Sequence, residues 1–302
     1  MECSQVMSSI AVAAPTTARR PFKPGKLIGR ILFYALLALI LIYILFPFYW
    51  AIRTSFMPDR DIYLTPVQYW PTNFTFDHYF NAFNDPNFVR SILNSAIVGV
   101  SVTILAVAIG ASAAYALGRF KFLGRSFALY MILAMSIFPV VAILASLYTV
   151  LTTLHLYNTL PALVITYLIF TLPFTVWLMQ SFFASMPRDL EEAAYVDGAG
   201  QFATFWRIML PLAAPGIATV GILALMGAWQ EFLLATSFIL TPDKWTVPLA
   251  ITNTGANQAS AFQIPWGDQM AETLVVMVPL IVFVLILQRR IISGLTAGAV
   301  KG

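Results

Sequence analysis

Charged side chains are scarce in this chain of 302 residues, because Asp, Glu, Lys and Arg make up only 10% of it, against roughly 25% in ordinary soluble domains. Apolar residues account for 60% of the sequence, and the mean hydropathy is +0.82. A soluble domain cannot bury so much apolar surface, whereas a membrane-embedded protein exposes it to lipid. The composition therefore excludes a soluble globular protein and predicts an integral membrane protein.

Cysteine and the common catalytic motifs are also missing. The single Cys3 excludes a disulfide framework, and His78 and His155 are far apart in sequence, so no metal site is expected. The chain lacks a G-x-x-x-x-G-K-[ST] loop, an H-E-x-x-H motif and a G-x-S-x-G motif. We expect no catalytic residue and no cofactor bound by this chain. Its basic residues lie beside apolar runs, so no nucleic-acid partner is expected either.

The apolar residues are grouped in runs long enough to cross a bilayer, which takes about 20 residues in a helix. The 62 residues between Arg125 and Arg188 carry no charge, so they must form a hairpin of two spans, with its turn at 155–159. The second of these spans is expected to bend at Pro173. Six transmembrane helices are predicted at about 31–52, 92–116, 127–151, 161–184, 212–238 and 271–288. Together they form an all-α permease domain over 31–290.

The parts outside the spans are short. Residues 1–30 are predicted to be a flexible tail, 291–302 a second tail, and 53–90 a folded loop with one amphipathic helix near Phe76–Phe83. The segments 1–30, 117–126, 185–211 and 289–302 hold 13 of the 17 Lys and Arg residues, and the intervening loops hold 4. Because basic residues favour the cytoplasmic side, this asymmetry predicts that both termini and the loop 185–211 are cytoplasmic.

The loop 185–211 is the most charged part of the chain, with six of the 30 charged side chains between Arg188 and Arg207. Its sequence contains the spacing E-A-A-x3-G-x9-I-x-L-P, which begins at Glu192. This pattern predicts a short helix, a turn at Gly198 and Gly200, and a second amphipathic helix that ends at Pro211. Small alanines allow close backbone approach, and glycine permits a turn that a Cβ would resist.

This spacing resembles the cytoplasmic loop signature of membrane subunits in bacterial ABC importers. The resemblance implies that the short helix docks into a cleft on a separate ATP-hydrolysing subunit, which binds ATP and Mg²⁺, and that this chain has no nucleotide site of its own. It also implies a second, different permease subunit, two ATPase subunits and an extracytoplasmic binding protein as partners in the lipid bilayer. The residues that it assigns to ATPase coupling are Glu191, Glu192, Ala193, Ala194, Asp197, Gly198, Ile208, Leu210 and Pro211.

The six spans, the long first loop and the sequence Gln288–Gly302 resemble the carbohydrate-uptake branch of these importers, over about residues 28–302. The likeness is to the second permease of maltose- and trehalose-type systems, and it implies import of a di- or oligosaccharide. In that branch the last outer loop inserts into the binding protein, which corresponds here to Thr252, Asn253, Thr254, Gly255, Ala256 and Asn257. Its C-terminal tail reaches between the ATPases, which corresponds here to Gly294, Leu295, Thr296, Gly298 and Lys301.

A polar group in the fifth predicted span is the candidate for the substrate path. Trp229 can stack on a pyranose ring, and Gln230 or Glu231 can hydrogen-bond its hydroxyl groups. A carboxylate inside a membrane helix costs roughly 2.5–3.5 kcal/mol, so Glu231 is expected to face a cavity or a partner helix. A glutamate bonded to the partner permease explains this group equally well. Weaker candidates are Asn94, Tyr148, Gln180 and Glu272, for which interhelical hydrogen bonds are the simpler explanation.

Three other functions remain open from the sequence. A proton-coupled carrier with Glu231 or Glu272 as its proton site explains the membrane carboxylates but not the loop signature. A membrane-embedded transferase or protease needs paired catalytic residues at membrane depth, and the sequence has only scattered single ones. An ABC permease for a non-sugar solute keeps the loop and changes only the cargo.

Overall fold

The computed structural model describes residues 24–255 and 264–299, with side chains for 28–255 and 264–286. The described residues are helical and contain no strand. The described residues divide into two units, one within residues 1–49 and the other within residues 50–302. The helices are α1 Pro24–Ser55, α2 Asp59–Ile62, α3 Asp77–Asn84, α4 Pro86–Arg119, α5 Arg125–Ile137, α6 Leu144–Thr153, α7 Leu160–Ser185, α8 Asp189–Val196, α9 Gln201–Thr204, α10 Leu210–Leu212, α11 Ala214–Gln230, α12 Leu233–Phe238, α13 Val247–Asn253 and α14 Trp266–Ala299.

Four of these helices, α1, α4, α7 and α14, are long and apolar enough to cross a membrane. Two bent helix pairs raise the number of candidate spans in the described residues to six. The helices α4 and α7 each begin with a capping side chain and a proline in the first turn. Asp85 accepts from the Asn87 amide at 2.9 Å at the start of α4, and Thr159 caps α7. The helix α7 continues through Pro173. The predicted all-α permease fold is consistent with this arrangement.

The helices extend further than the apolar runs. The helix α1 includes residues 24–30, which were assigned to the N-terminal tail; residues 1–23 of that tail lie outside the described part. At the other end, α14 begins at Trp266 and its backbone stays helical to Ala299, although the predicted span was 271–288 and 291–302 was assigned to a tail. Hydropathy marks where lipid contact ends, whereas helical hydrogen bonding continues into water.

Two predicted spans are broken, which the sequence analysis did not foresee. The run 127–151 consists of α5 and α6, which are bent by 95° where Phe138 takes an extended conformation before Pro139. The residue before a proline disfavours helical dihedrals, and this accounts for the break. The run 212–238 is interrupted at residues 231–232, between α11 and α12, and α11 is bent by 75° from the segment 201–212.

The buried core of the second unit lies where α4 packs against α7 and α11. Small residues allow this close approach: a Cβ on Gly110 would lie 2.3 Å from Thr175 Cγ2, and one on Gly99 would lie 2.9 Å from Leu225 Cδ1. Lipid provides no hydrophobic driving force between helices, so close packing has to supply the attraction. The hairpin turn between α6 and α7 is attached to the buried residues of α12, because the Asn158 amide donates to the carbonyl of buried Phe238 at 3.0 Å.

The helix α3, close to the predicted 76–83, is held against the start of α14 by a buried histidine. His78 is 3% exposed, with Nδ1 2.7 Å from Asp268 Oδ1 and Nε2 2.9 Å from the Met57 carbonyl. Both partners accept hydrogen bonds, so both ring nitrogens donate when the ring is protonated. Burial lowers the pKa of His78, but the bonds to Asp268 and Met57 and the negative charges of Asp268 and Asp59 outweigh it and raise the pKa.

This contact predicts a pH-dependent stability. Since the folded-state pKa of His78 is raised, its contribution is fully present below about pH 6.5 and is lost as pH rises through the folded value. We expect the apparent melting temperature of the purified protein to fall as the pH rises above about 6.5, and His78→Gln to flatten that fall. Substitution of the exposed His155 by Gln is the matched control. Equal pH slopes for wild type and His78→Gln would contradict the prediction.

Candidate functional site

The first part of the loop between α7 and α11, a short helix followed by a turn, has the predicted local structure. The helix α8 begins with three acidic residues in its first turn, where they interact favourably with the amino-terminal end of the helix dipole. It ends at Val196, and two residues later Gly198 has a φ of +81°, in the left-handed region that glycine adopts without strain. The Gly198 amide donates to the Tyr195 carbonyl at 3.1 Å, and the Ala199 amide donates to Ala194 at 2.9 Å. A turn of this geometry separates α8 from the following helical segment.

The helical segment that follows was predicted to end at Pro211, but it continues past this residue. Helical backbone continues from α9 through a π-helical turn, Phe205–Met209, into α10, and the break comes at Ala213. Proline cannot donate to the carbonyl four residues earlier, and a π turn immediately before it accommodates the missing bond. Ile208 and Leu210 are half-buried, and Leu210 lines a groove of about 430 Å³ between this segment, α4 and α11.

Much of the surface of α8 and α9 is accessible. Glu192, Ala193, Asp197 and Gly198 are exposed, whereas Ala194 is buried at 3% exposure. Large apolar side chains are exposed beside them, Val196 at 88% and Phe202 at 77%. An exposed surface that combines carboxylates with large apolar groups is suited to contact another protein.

Glu191 differs from its predicted neighbours because it points into the protein. Its Oε1 accepts from the Tyr115 hydroxyl at 2.8 Å, and its Oε2 accepts from Arg119 Nε at 2.8 Å and lies 2.6 Å from Nη2. The Arg119 and Glu191 side chains are only 4% and 12% exposed. Glu191, predicted to belong to the coupling surface, therefore anchors that surface to α4. A carboxylate on the inner face of a short helix cannot also reach a docking partner.

Arg119 was missed as a site residue because it was counted only as one of the basic residues that set orientation. It is the last residue of α4, and its guanidinium also donates to the carbonyls of Phe183, Met186 and Pro187 at the end of α7. The sequence feature that could have singled out Arg119 is its position at the very end of a charge-free run. Sequence spacing alone does not indicate that residues 119 and 191 meet.

The substrate-path candidates in the fifth predicted span lie at a break in the helix. Glu231 follows the last residue of α11, and its carboxylate accepts from the amides of Leu234 at 2.8 Å and Ala235 at 3.2 Å, at the start of α12. Gln230 is exposed, and Trp229 is half-buried against a cluster that includes Phe88. The prediction of a continuous helix was wrong here, because the helix is interrupted at residues 231–232. The carboxylate of Glu231 is satisfied by the two amides at the start of α12.

This cap predicts distinct outcomes for two substitutions of Glu231. Glu231→Gln keeps an oxygen acceptor for one amide, so it should retain folding and should transport within about threefold of wild type. Glu231→Ala removes both bonds and should destabilise the folded protein by about 1 kcal/mol or more. Solute uptake and apparent melting temperature measured together distinguish them. Complete loss of uptake by Glu231→Gln in a normally folded protein would instead indicate a proton site.

The weaker candidates lie in separate environments. Asn94 is buried at 5% exposure, and its Nδ2 donates to the carbonyls of Asp243 at 3.0 Å and Trp245 at 2.9 Å. Tyr148 is exposed, with its ring 5.0 Å from that of Tyr157, and Gln180 is half-buried on α7. Asn94 thus has a structural role, consistent with the simpler explanation.

The predicted binding-protein loop is described only in part. Thr252 is exposed, Asn253 Nδ2 donates to the Leu249 carbonyl at 2.7 Å, and Gly255 has a φ of +77°. The Thr254 hydroxyl donates to the buried carboxylate of Glu272. Ala256 and Asn257 lie outside the described residues, as does Lys301 of the tail. The backbone of Gly294, Leu295, Thr296 and Gly298 is helical.

Comparison with known proteins agrees with this architecture. Residues 106–296 match the family described as "Binding-protein-dependent transport system inner membrane component". The chain is 38% identical over 261 residues to the trehalose transport system permease protein SugB of Mycobacterium tuberculosis, covering 86% of this chain and 93% of that protein. It is 36% identical over 287 residues to the sulfoquinovosyl glycerol transport system permease protein SmoH of Agrobacterium fabrum, covering 95% of this chain and 99% of that protein.

The fold has a counterpart among solved structures. A chain of a bacterial ABC transporter involved in import of the acidic polysaccharide alginate superposes with a TM-score of 0.77, at 21% identity, over 89% of this chain and 99% of that one. At that identity the likeness concerns the fold alone. It supports the predicted all-α permease fold, and the family match covers α7, α8 and the end of α4 that holds α8. The chain belongs to the family of inner membrane components of binding-protein-dependent transport systems.

Proposed function

We propose that this chain is a membrane-spanning subunit of an ATP-driven importer that carries a di- or oligosaccharide, such as trehalose or maltose. The observation that carries the proposal is the exposed surface of α8 and α9, which is fixed to the membrane helices by a buried ion pair. Family membership supports the transport role. The relatives named above transport trehalose and sulfoquinovosyl glycerol, both of which are glycosides, and this supports a carbohydrate cargo.

The proposal includes three kinds of partner protein. Glu192, Ala193 and Gly198 dock into an ATPase subunit that binds ATP and Mg²⁺, and a second, different permease completes the path through the bilayer. An extracytoplasmic binding protein delivers the sugar near residues 252–257. The chain lies in the bacterial inner membrane with both termini cytoplasmic, which the distribution of 13 basic residues against 4 supports.

The mechanism is mechanical rather than catalytic. Closure of the ATPase subunits displaces α8 and α9 as a rigid element, and the helices switch between inward- and outward-facing states. Trp229 and Gln230, at the end of α11, are the side chains best placed on this chain to contact a sugar, because Glu231 is occupied by capping. Asn94 is likewise occupied by two backbone carbonyls.

The test is ATP hydrolysis by the complex, co-purified with its partners and reconstituted in lipid nanodiscs with its binding protein. Maltose, trehalose, other disaccharides and glycerol 3-phosphate are compared. Stimulation by one sugar supports the importer and identifies its cargo. A complex that hydrolyses ATP but responds to none of them indicates a non-sugar solute. If no ATPase subunit co-purifies, and uptake depends on the proton gradient, the proposal is wrong and a secondary carrier replaces it.

A further inference from the structure

The guanidinium of Arg119 uses all of its hydrogen-bonding capacity inside the protein. Arginine has five N–H donors, and here they are directed at Glu191 Oε2 and at three main-chain carbonyls. Nε lies 2.8 Å and Nη2 lies 2.6 Å from Glu191 Oε2. Nη1 donates to the carbonyls of Met186 at 2.9 Å and Phe183 at 3.2 Å, and Nη2 donates to the Pro187 carbonyl at 3.2 Å. One side chain on α4 therefore holds the end of α7 and the inner face of α8 together.

The helix α8 needs such an attachment because its links along the chain are not helical. Residues 186–188 join it to α7, and residues 197–200 join it to α9. A short helix between two such links can swivel when a partner pushes on it. Glu191 opposes this motion, since both of its carboxylate oxygens are bonded to residues of α4. The ion pair is shielded from solvent, so it is screened much less than a surface pair.

We propose that Arg119, Glu191 and Tyr115 form a transmission clamp that carries displacement of α8 into the membrane helices α4 and α7. They are positioning residues, each of which acts by keeping α8 at a constant orientation on α4. The proposal rests on the proposed function, because it needs an ATPase subunit that moves α8. With the clamp broken, ATP is hydrolysed without a matching movement of the transport path.

The variants that test the clamp are chosen by the hydrogen bonds or the charge that each one removes. Arg119→Lys keeps the positive charge but offers three donors from one atom, which cannot reach Glu191 and three carbonyls together. Glu191→Gln keeps the shape and removes the charge. Tyr115→Phe removes only a hydroxyl, and its ring still packs on Phe183 and Phe205 at centroid distances of 5.5 Å and 4.9 Å. Arg125→Lys is the matched control, because the side-chain bond that Arg125 makes to the described residues is long, 3.4 Å from Nη2 to the Gly118 carbonyl.

The experiment measures solute transported per ATP hydrolysed by the full complex in proteoliposomes. We expect this ratio to fall about tenfold for Arg119→Lys and Glu191→Gln, and about fivefold for Tyr115→Phe, within the usual range of coupling between sites. Arg125→Lys should keep the wild-type ratio. A purely structural role would lower transport and hydrolysis in parallel and leave the ratio unchanged.

The outcomes separate this inference from the proposed function. If wild type couples ATP hydrolysis to transport and Tyr115→Phe, Arg119→Lys and Glu191→Gln all keep its ratio, the clamp is refuted and the importer stands. If the wild-type complex shows no ATP-dependent transport, the proposed function fails and the clamp fails with it. Should Arg119→Lys or Glu191→Gln prevent assembly, the decision rests on Tyr115→Phe, which preserves the buried ring.

Discussion

Replacing Gly198 by proline is expected to abolish solute uptake while leaving the protein in the membrane at a normal level. Gly198 has a φ of +81°, and proline is restricted to about −65°, so the turn after α8 cannot form. The substitution also removes the amide that donates to the Tyr195 carbonyl at 3.1 Å. The change is confined to an exposed turn outside the membrane helices, so insertion should be unaffected. Uptake into cells and the amount of subunit in the membrane fraction are the two measurements.

A matched pair of valine variants tests whether the backbone conformation is the cause. A Cβ has open space at both Gly198 and Gly200, but Gly200 has a φ of −74° and a ψ of 166°, which valine adopts readily. Gly198→Val should therefore lose most of its transport, since a left-handed conformation costs a β-branched residue roughly 1–2 kcal/mol or more. Gly200→Val should transport normally. Normal uptake by Gly198→Pro would overturn the docking role of this turn.

Replacing Gly110 by alanine is expected to weaken the packing of α4 on α7 and lower the apparent melting temperature of the purified protein. The added Cβ would lie 2.3 Å from Thr175 Cγ2 and 3.2 Å from Thr175 Cβ. Thr175 is 1% exposed and β-branched, so it cannot turn away easily. The helices must separate instead, at a cost of about 1–3 kcal/mol.

The control for this substitution is Gly221→Ala on α11. A Cβ there would lie 3.6 Å from Thr103 Cγ2, an ordinary van der Waals contact, and alanine favours helix over glycine. Gly221→Ala should match or exceed the wild-type melting temperature. If both alanine variants melt at the wild-type temperature, the close approach at Gly110 does not limit stability. The two results together separate a packing clash from a general effect of removing glycine from a membrane helix.

The sequence predicted the membrane class, the approximate positions of the apolar spans and the short helix and turn within the loop 185–211. These features depend on local pattern. A run of about 20 apolar residues requires a helix because lipid offers no other partner for the backbone, and Gly198 after an acidic helix start predicts a turn. The resemblance of the loop to ABC importer permeases was confirmed by the family match over residues 106–296.

Other features needed the tertiary structure. The bends at Phe138 and Ala213 are invisible to hydropathy, because a bent pair of apolar helices has the same composition as a straight one. Pro211 was predicted to end its helix, but the π turn before it absorbs the lost hydrogen bond. Glu231 was expected to face a cavity or a partner helix, and its capping of α12 emerges only when the break in the helix is known.

The sequence by itself thus determined what kind of protein this is, because hydrophobic length, charge asymmetry and loop spacing are properties of consecutive residues. Only the tertiary structure decided which carboxylate of the loop faces outward and which is bound. Glu191 and Glu192 are adjacent and chemically identical, yet helix periodicity turns one toward Arg119 and the other toward solvent. The partner that distinguishes them is 72 residues away along the chain, and packing of α4 against α7 brings it there.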